Sequence, residues 1–195
     1  MPEETENTPI IIVGAGGIGS WTAAILAKLG VKRLTVYDSD RVEPHNLPSQ
    51  FFLQNSPGQA KVTALTKAIK EFTGETINYV NEQFNKTTTS ILIIAVDSMK
   101  ERIRLANNNS SFDYVIDARM GLEQMELYIC KNNDEWRKTL TSPDRVDRDP
   151  CTARSIVYNT SVIGGIIGSL VKKLIKKEKV PEKIIFDLKT YMIVV

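Results

Sequence analysis

The 195 residues carry 25 Lys and Arg against 23 Asp and Glu, a net charge of +2, with 42% hydrophobic and 25% charged positions. That is the composition of one globular domain with a substantial core, and so even a charge balance gives no electrostatic case for nucleic acid. Cys130 and Cys151 lack metal-type spacing, and residues 1–8 are acidic and polar without the blocks of a leader, so the expectation is a reduced, cytoplasmic chain with a flexible N-terminal arm.

Residues 10–13, four branched apolar side chains, predict a fully buried strand. Gly14-Ala15-Gly16-Gly17-Ile18-Gly19 follows, a G-x-G-x-x-G turn opening a helix over about 18–29. Strand, glycine turn and helix in that order form a site for a nucleotide phosphate. Gly14 permits the tight turn, Gly16 lets the backbone approach the anion, and Gly19 lets helix and strand pack closely. The free N–H groups at the helix start then face the phosphate. A second strand, 33–37, ends at Asp38-Ser39-Asp40, and Asp38 stands where an acidic residue bonds ribose hydroxyls.

An irregular stretch, 39–57, leads to a helix over 60–72 that Gly74 stops. Strands are expected at 76–83, 91–96 and 114–117, with a helix over 99–107 between the last two. Residues 124–131 alternate like a half-solvated strand, and 132–150 read as a loop with at most a short helix. An apolar helix over about 155–177 carries Tyr158, Asn159, Thr160 and Ser161, too polar for a membrane span. It reads as a core or interface helix. A hairpin, 184–188 with 191–195, closes the chain. The fold class is α/β: a Rossmann-like, mostly parallel sheet with helices on both faces, and antiparallel strands added in the C-terminal part, residues 1–195 forming one domain. Asp38, Asp97 and Asp117, each near a strand end, are expected toward the edge where ligands of such sheets bind.

Four segments in order, GAGGIGS, YDSDRVEPHNLPSQ, GQAKV and AVDS, together resemble the ThiF/MoeB-type adenylyltransferases, relatives of ubiquitin-activating enzymes. The resemblance implies ATP- and Mg2+-dependent adenylylation of the C-terminal carboxylate of a small ubiquitin-like protein ending in glycine. The acyl group would then pass to a sulfur acceptor, and the enzyme would be a homodimer. It implies that Gly14, Gly16, Gly17, Ile18, Gly19, Asp38, Asp40, Asn46, Gln50 and Lys61 face the nucleotide. Lys61 would supply a point charge to the phosphates, and Asp97 would hold the magnesium. Each has a plainer alternative, Lys61 as only a solvated helix-start lysine, Asp97 as only a helix N-cap and Asn46 as only a turn residue, and their joint spacing favours the functional roles. Cys151, beside Arg154 and ahead of a helix, is a candidate thiol acceptor or a small buried residue, whereas Cys130 reads as packing. His45 neighbours Asn46 and is not assigned a catalytic role.

Two departures stand out. The family's N-L-x-R-Q element holds Ser49 at its arginine, leaving Arg41, Arg119 or Arg154 to compensate. The paired C-x-x-C motifs of many bacterial relatives are missing, so no structural zinc is expected. The competing readings are an NAD-dependent oxidoreductase, which the glycine turn and Asp38 fit equally well, and a nucleotide-binding partner of a ubiquitin-like protein that has lost catalysis.

Overall fold

The apolar runs become the centre of one sheet. The computed structural model describes residues 7–85, 88–108, 110–121, 123–140 and 156–195. Strands β1 (Ile10–Val13), β2 (Leu34–Tyr37), β3 (Asn78–Val80), β4 (Thr88–Ile94) and β5 (Ser111–Gly121) run parallel. Strands β6 (Gln124–Cys130), β7 (Lys183–Asp187) and β8 (Met192–Val194) add to them antiparallel. The order is β3-β2-β1-β4-β5-β6-β7-β8. After β1 the chain moves to one side, to β2 and β3; from β4 onward it builds the other. The crevice between the carboxyl ends of β1 and β4 is therefore the topological switch point, where ligands of such sheets bind.

All four residues of β1 are buried, because both faces of the sheet are covered. Ile10, Ile12, Leu34, Ile91, Ile93 and Ile116 point to one core, packed with α1 (Gly17–Lys28), α2 (Lys61–Thr73) and α5 (Val157–Ile175). Ile11, Val13, Leu92, Ile94 and Val115 point to the other, with Leu105 and Ala106 of α3 (Met99–Ala106) and Trp136 of α4 (Asn133–Thr139). The expected helices on both faces are thus present. Gly74 ends α2 in the left-handed conformation, φ 78°.

Strand boundaries differ from expectation. Strand β3 is shorter than 76–83, β4 begins and ends earlier than 91–96, and β5 is longer than 114–117. Antiparallel pairing with β6 extends the ladder from Val115–Cys130 to Gly121–Gln124. The short helix allowed within 132–150 is α4, which forms because Asn132 Oδ1 caps it, accepting the Glu135 N–H at 2.8 Å, and the Glu135 carboxylate accepts the Lys131 N–H in return.

Helix α5 is a core helix. It lies so close to α1 that a Cβ on Gly164 would stand 3.2 Å from the Thr22 amide nitrogen, and one on Gly168 would stand 2.9 Å from Ile25 Cγ2. No helix among the described residues is long and apolar enough to cross a membrane. Replacing Gly164 by Leu forces α1 and α5 apart. We expect a loss of about 1–3 kcal/mol from overpacking, read as a melting temperature lowered by several degrees, with Trp21 fluorescence reporting the same transition.

Candidate nucleotide site at the switch point

The three fingerprint glycines have different reasons to be glycine. Gly14 sits at φ +100°, and a Cβ there would lie 2.6 Å from the Ala95 carbonyl oxygen. A Cβ on Gly19 would lie 1.8 Å from the Gly14 carbonyl oxygen. The fold itself requires both. A Cβ on Gly16 would meet nothing within 4 Å, so no packing contact among the described residues requires glycine here. Gly16 is also the N-cap of α1 and supplies no side-chain bond to it, which leaves the first-turn N–H groups without a side-chain cap.

Asp38 ties that turn to the end of β2. Its carboxylate accepts the Ala15 N–H at 2.7 Å and the Asp40 N–H at 2.7 Å. A carboxylate has about four acceptor positions, so room remains for hydroxyl donors. Asp40 in turn holds Lys61: the ammonium lies 2.9 Å from Asp40 Oδ2, and the Lys61 N–H bonds the Asp40 carbonyl at 2.9 Å. The lysine side chain is 12% exposed and the Asp40 side chain 68%. Lys61 is therefore a mostly buried stem delivered to the site, not a solvated helix-start lysine. Its ion pair with so exposed a partner stabilises by about 0–1 kcal/mol.

Asn46 is buried in a 3-10 turn (Pro44–Asn46), and its Oδ1 accepts the Glu43 N–H at 2.9 Å. This is the turn-building role, and it uses the acceptor end of the amide. Gln50 keeps a buried Oε1 with no hydrogen-bond partner. Between them Ser49 is 6% exposed, and its carbonyl accepts Trp21 Nε1 at 3.0 Å and Thr160 Oγ1 at 2.9 Å. Helices α1 and α5 thus clamp the loop that carries Asn46 and Gln50. Thr160 was not foreseen; a lone threonine in an apolar helix gives no sequence signal of its partner.

Asp97 follows β4, whose ladder continues through the Ala95 N–H to the Val13 carbonyl at 2.8 Å. The carboxylate is exposed, and it is not the helix cap: Ser98 is the N-cap of α3 and accepts the Glu101 N–H. Among the described residues no group of three or more His, Cys, Asp or Glu is placed to hold a metal. One exposed carboxylate following the strand that lies against the glycine turn is nonetheless a donor set that magnesium accepts, since magnesium takes its other ligands from phosphate and water.

Asp117 departs from its expected place. It lies inside β5 opposite Ile94 and is fully buried. Its Oδ1 accepts Arg102 Nε at 2.8 Å, and its Oδ2 accepts Arg119 Nη2 at 2.7 Å and Trp136 Nε1 at 3.0 Å. Arg119 also bonds the Thr139 carbonyl at 3.0 Å and lies 4.2 Å over the Tyr128 ring. Arg119 is thereby withdrawn as a substitute for the missing arginine. Arg102, overlooked in the sequence, shares the buried stripe of α3 with Leu105 and Ala106, an i, i+3, i+4 pattern that marks it. Arg41 is exposed and donates to the Gly58 carbonyl at 2.7 Å. His45 is exposed beside Glu43, at 3.3 Å. Cys151 and Arg154 lie outside the described residues. Cys130 is a buried packing residue, and desolvation, with the charges of Glu135 and Asp117, pushes its thiol up to about 11.

The ThiF family matches this sequence over residues 3–192. The chain belongs to the ThiF family. Ubiquitin-like modifier-activating enzyme 5 of Culex quinquefasciatus is 33% identical over 99 residues, covering 51% of this chain and 23% of that enzyme. The same enzyme of Drosophila persimilis is 33% identical over 141 residues, covering 72% and 33%. The chain therefore spans a third or less of these relatives. Among solved structures, the microcin C7 biosynthetic enzyme MccB with N-formylated MccA superposes with TM-score 0.79 at 16% identity, over 98% of this chain and 65% of that one. E. coli MccB with ATP gives 0.78 at 17%, covering 98% and 64%, and PaaA gives 0.73 at 20%, covering 98% and 64%. At those identities the likeness concerns the ThiF-family fold.

Two measurements check the electrostatics. Asp117→Asn leaves the buried Arg102 and the part-buried Arg119 guanidinium groups without a counter-charge, and urea unfolding should show a loss of about 3–5 kcal/mol. A pKa near 11 means that Cys130 stays a thiol at pH 8, so iodoacetamide should leave Cys130 unmodified in the folded protein and alkylate it in urea, as peptide mapping will show.

Proposed function

We propose that this ThiF-family chain adenylylates a carboxylate with ATP, the substrate being the C-terminus of a small ubiquitin-like protein or peptide. The observation that carries this reading is the convergence on one switch point of the glycine turn, the Asp38–Asp40–Lys61 chain and the exposed Asp97. Relatives named for activating ubiquitin-like modifiers, and MccB solved with ATP, support it.

A carboxylate is a poor nucleophile toward a phosphate because both are anions. The site must therefore neutralise charge and align the reactants. In this reading the first-turn N–H groups of α1 bind the phosphates over Gly16, and Asp38 takes the ribose hydroxyls. Gln50 offers its unpartnered Oε1 to the nucleotide, and Asn46 holds the loop in shape. Lys61 exchanges Asp40 for a phosphate oxygen. Magnesium, when bound, neutralises phosphate charge from a place beside Asp97. The substrate carboxylate oxygen attacks the α-phosphorus, the bond to the bridging oxygen breaks, and pyrophosphate leaves with that electron pair. A sulfur nucleophile, for which Cys151 is the candidate, then attacks the acyl carbon, and AMP leaves with the electron pair of the acyl–oxygen bond, in a reducing, cytoplasmic setting. A two-fold dimer completes the reading.

The second reading is nucleotide binding without catalysis, and Ser49 favours it. This position is buried and clamped, and Arg119 is spent on Asp117. The dehydrogenase reading gives Lys61 and Asp97 no task. ATP with magnesium at a hundred times its dissociation constant should stabilise the protein by about 2.7 kcal/mol, a thermal shift that Asp97→Ala diminishes and NAD does not produce. With a cognate carboxylate substrate, Lys61→Met should slow pyrophosphate release by about a hundred-fold. ATP binding without pyrophosphate release from the wild-type protein would establish the second reading instead.

A further inference from the structure

Asp97 is exposed on a four-residue link, 95–98, between β4 and α3. Such a link needs something to fix its direction. Ile94, the last residue of β4, is the register partner of Asp117 on β5. Arg102, the fourth residue of α3, reaches back to that same Asp117 with its Nε at 2.8 Å and to the Ala118 carbonyl with Nη2 at 2.9 Å. The chain from Ile94 through Asp97 and Ser98 into α3 is thus closed into a ring by one ion pair and one strand ladder. Both members of the pair are buried, Arg102 at 5% and Asp117 at 0% exposure. Stability alone gives weak reason to bury such a pair, since apolar residues of similar volume serve as well. A planar guanidinium held at two points does what apolar packing does not: it fixes the rotation of the helix as well as its depth.

We propose that Arg102 and Asp117 are positioning residues that aim Asp97 at the magnesium of the bound nucleotide. This rests on the metal role of Asp97 in the reading above. Arg119 and Trp136 hold the same carboxylate from β5 and α4, so the anchor is fixed from two further elements. Arg102→Lys keeps the charge and abolishes the two-point grip.

The test compares wild type, Arg102→Lys, Asp97→Asn and the double variant. Each is titrated with ATP in chelator and then, at saturating ATP, with magnesium chloride, following the thermal shift. Arg102→Lys should leave metal-free ATP binding unchanged and raise the magnesium concentration at half-effect about ten-fold, the scale on which supporting residues act on a metal site. In the Asp97→Asn background the same change should add nothing. An unaltered magnesium midpoint in Arg102→Lys, or an equal further rise in the double variant, overturns the proposal. An unaltered midpoint in Asp97→Asn overturns the metal role of Asp97 itself, and the proposal with it. If Arg102→Lys does not fold, Arg102→Gln combined with Asp117→Asn removes both charges together and is judged by the same midpoints.

Discussion

At Gly14 the backbone turns with φ +100° so near the Ala95 carbonyl that a single methyl would stand 2.6 Å from its oxygen. That approach seats the glycine turn of β1 against the end of β4, across the one place where the sheet changes direction. Gly19 then brings α1 down onto Gly14. The N-terminus of α1 can open onto the crevice only because both contacts are made. Asp38 secures the turn from the other side by taking the Ala15 N–H. Position and direction of the first-turn N–H groups of α1 therefore follow from backbone contacts and one carboxylate. Gly16 is left as the fingerprint glycine that no packing contact among the described residues requires.

The opposite face of the sheet follows a different logic. One carboxylate, Asp117, is buried with two guanidinium groups and an indole N–H around it. Removing charges of this kind from water is costly, and the cost is offset only when geometry and remaining hydrogen bonds are satisfied. Here they are: Arg102 also bonds the Ala118 carbonyl, and Arg119 bonds Thr139 and lies over Tyr128. The cluster joins β5, α3 and α4, each of which also buries apolar residues, so the ionic contact adds direction to a core that already holds.

Much of this was legible in the sequence. Period and run length fixed the expectation for β1, β2, α1 and α5, because strands buried on both faces read as continuous apolar runs and need no partner to be recognised. The boundaries of β5 were not legible, because its length depends on pairing with β6, a contact between different segments. In the site, Gly14, Gly19 and Asp38 announced themselves by spacing. Asp117 misled because a carboxylate near a predicted strand end looks the same whether it faces solvent or two arginines 15 and 2 residues away. Arg102 had a readable position on the apolar stripe of α3, but its partner did not. Cys151 remains a sequence expectation, since it lies outside the described residues.

Ser49 changes the balance of charge on which the proposed chemistry depends. Arginine supplies fixed, bidentate neutralisation of phosphate that serine does not. In this chain the position is buried, and its carbonyl is committed to Trp21 and Thr160. Arg119 is committed to Asp117. Among the described residues, the proposed chemistry draws on Lys61, on the first turn of α1 and on the metal it assigns to Asp97 to oppose the phosphates. Lys61 is shared with Asp40, and a helix terminus carries only about half a charge. Under the proposed chemistry the metal would then be the largest positive charge, and its placement would decide more than it would beside an arginine. A chain with serine in place of the arginine would have correspondingly more to gain from a buried, two-point grip on the helix that follows Asp97.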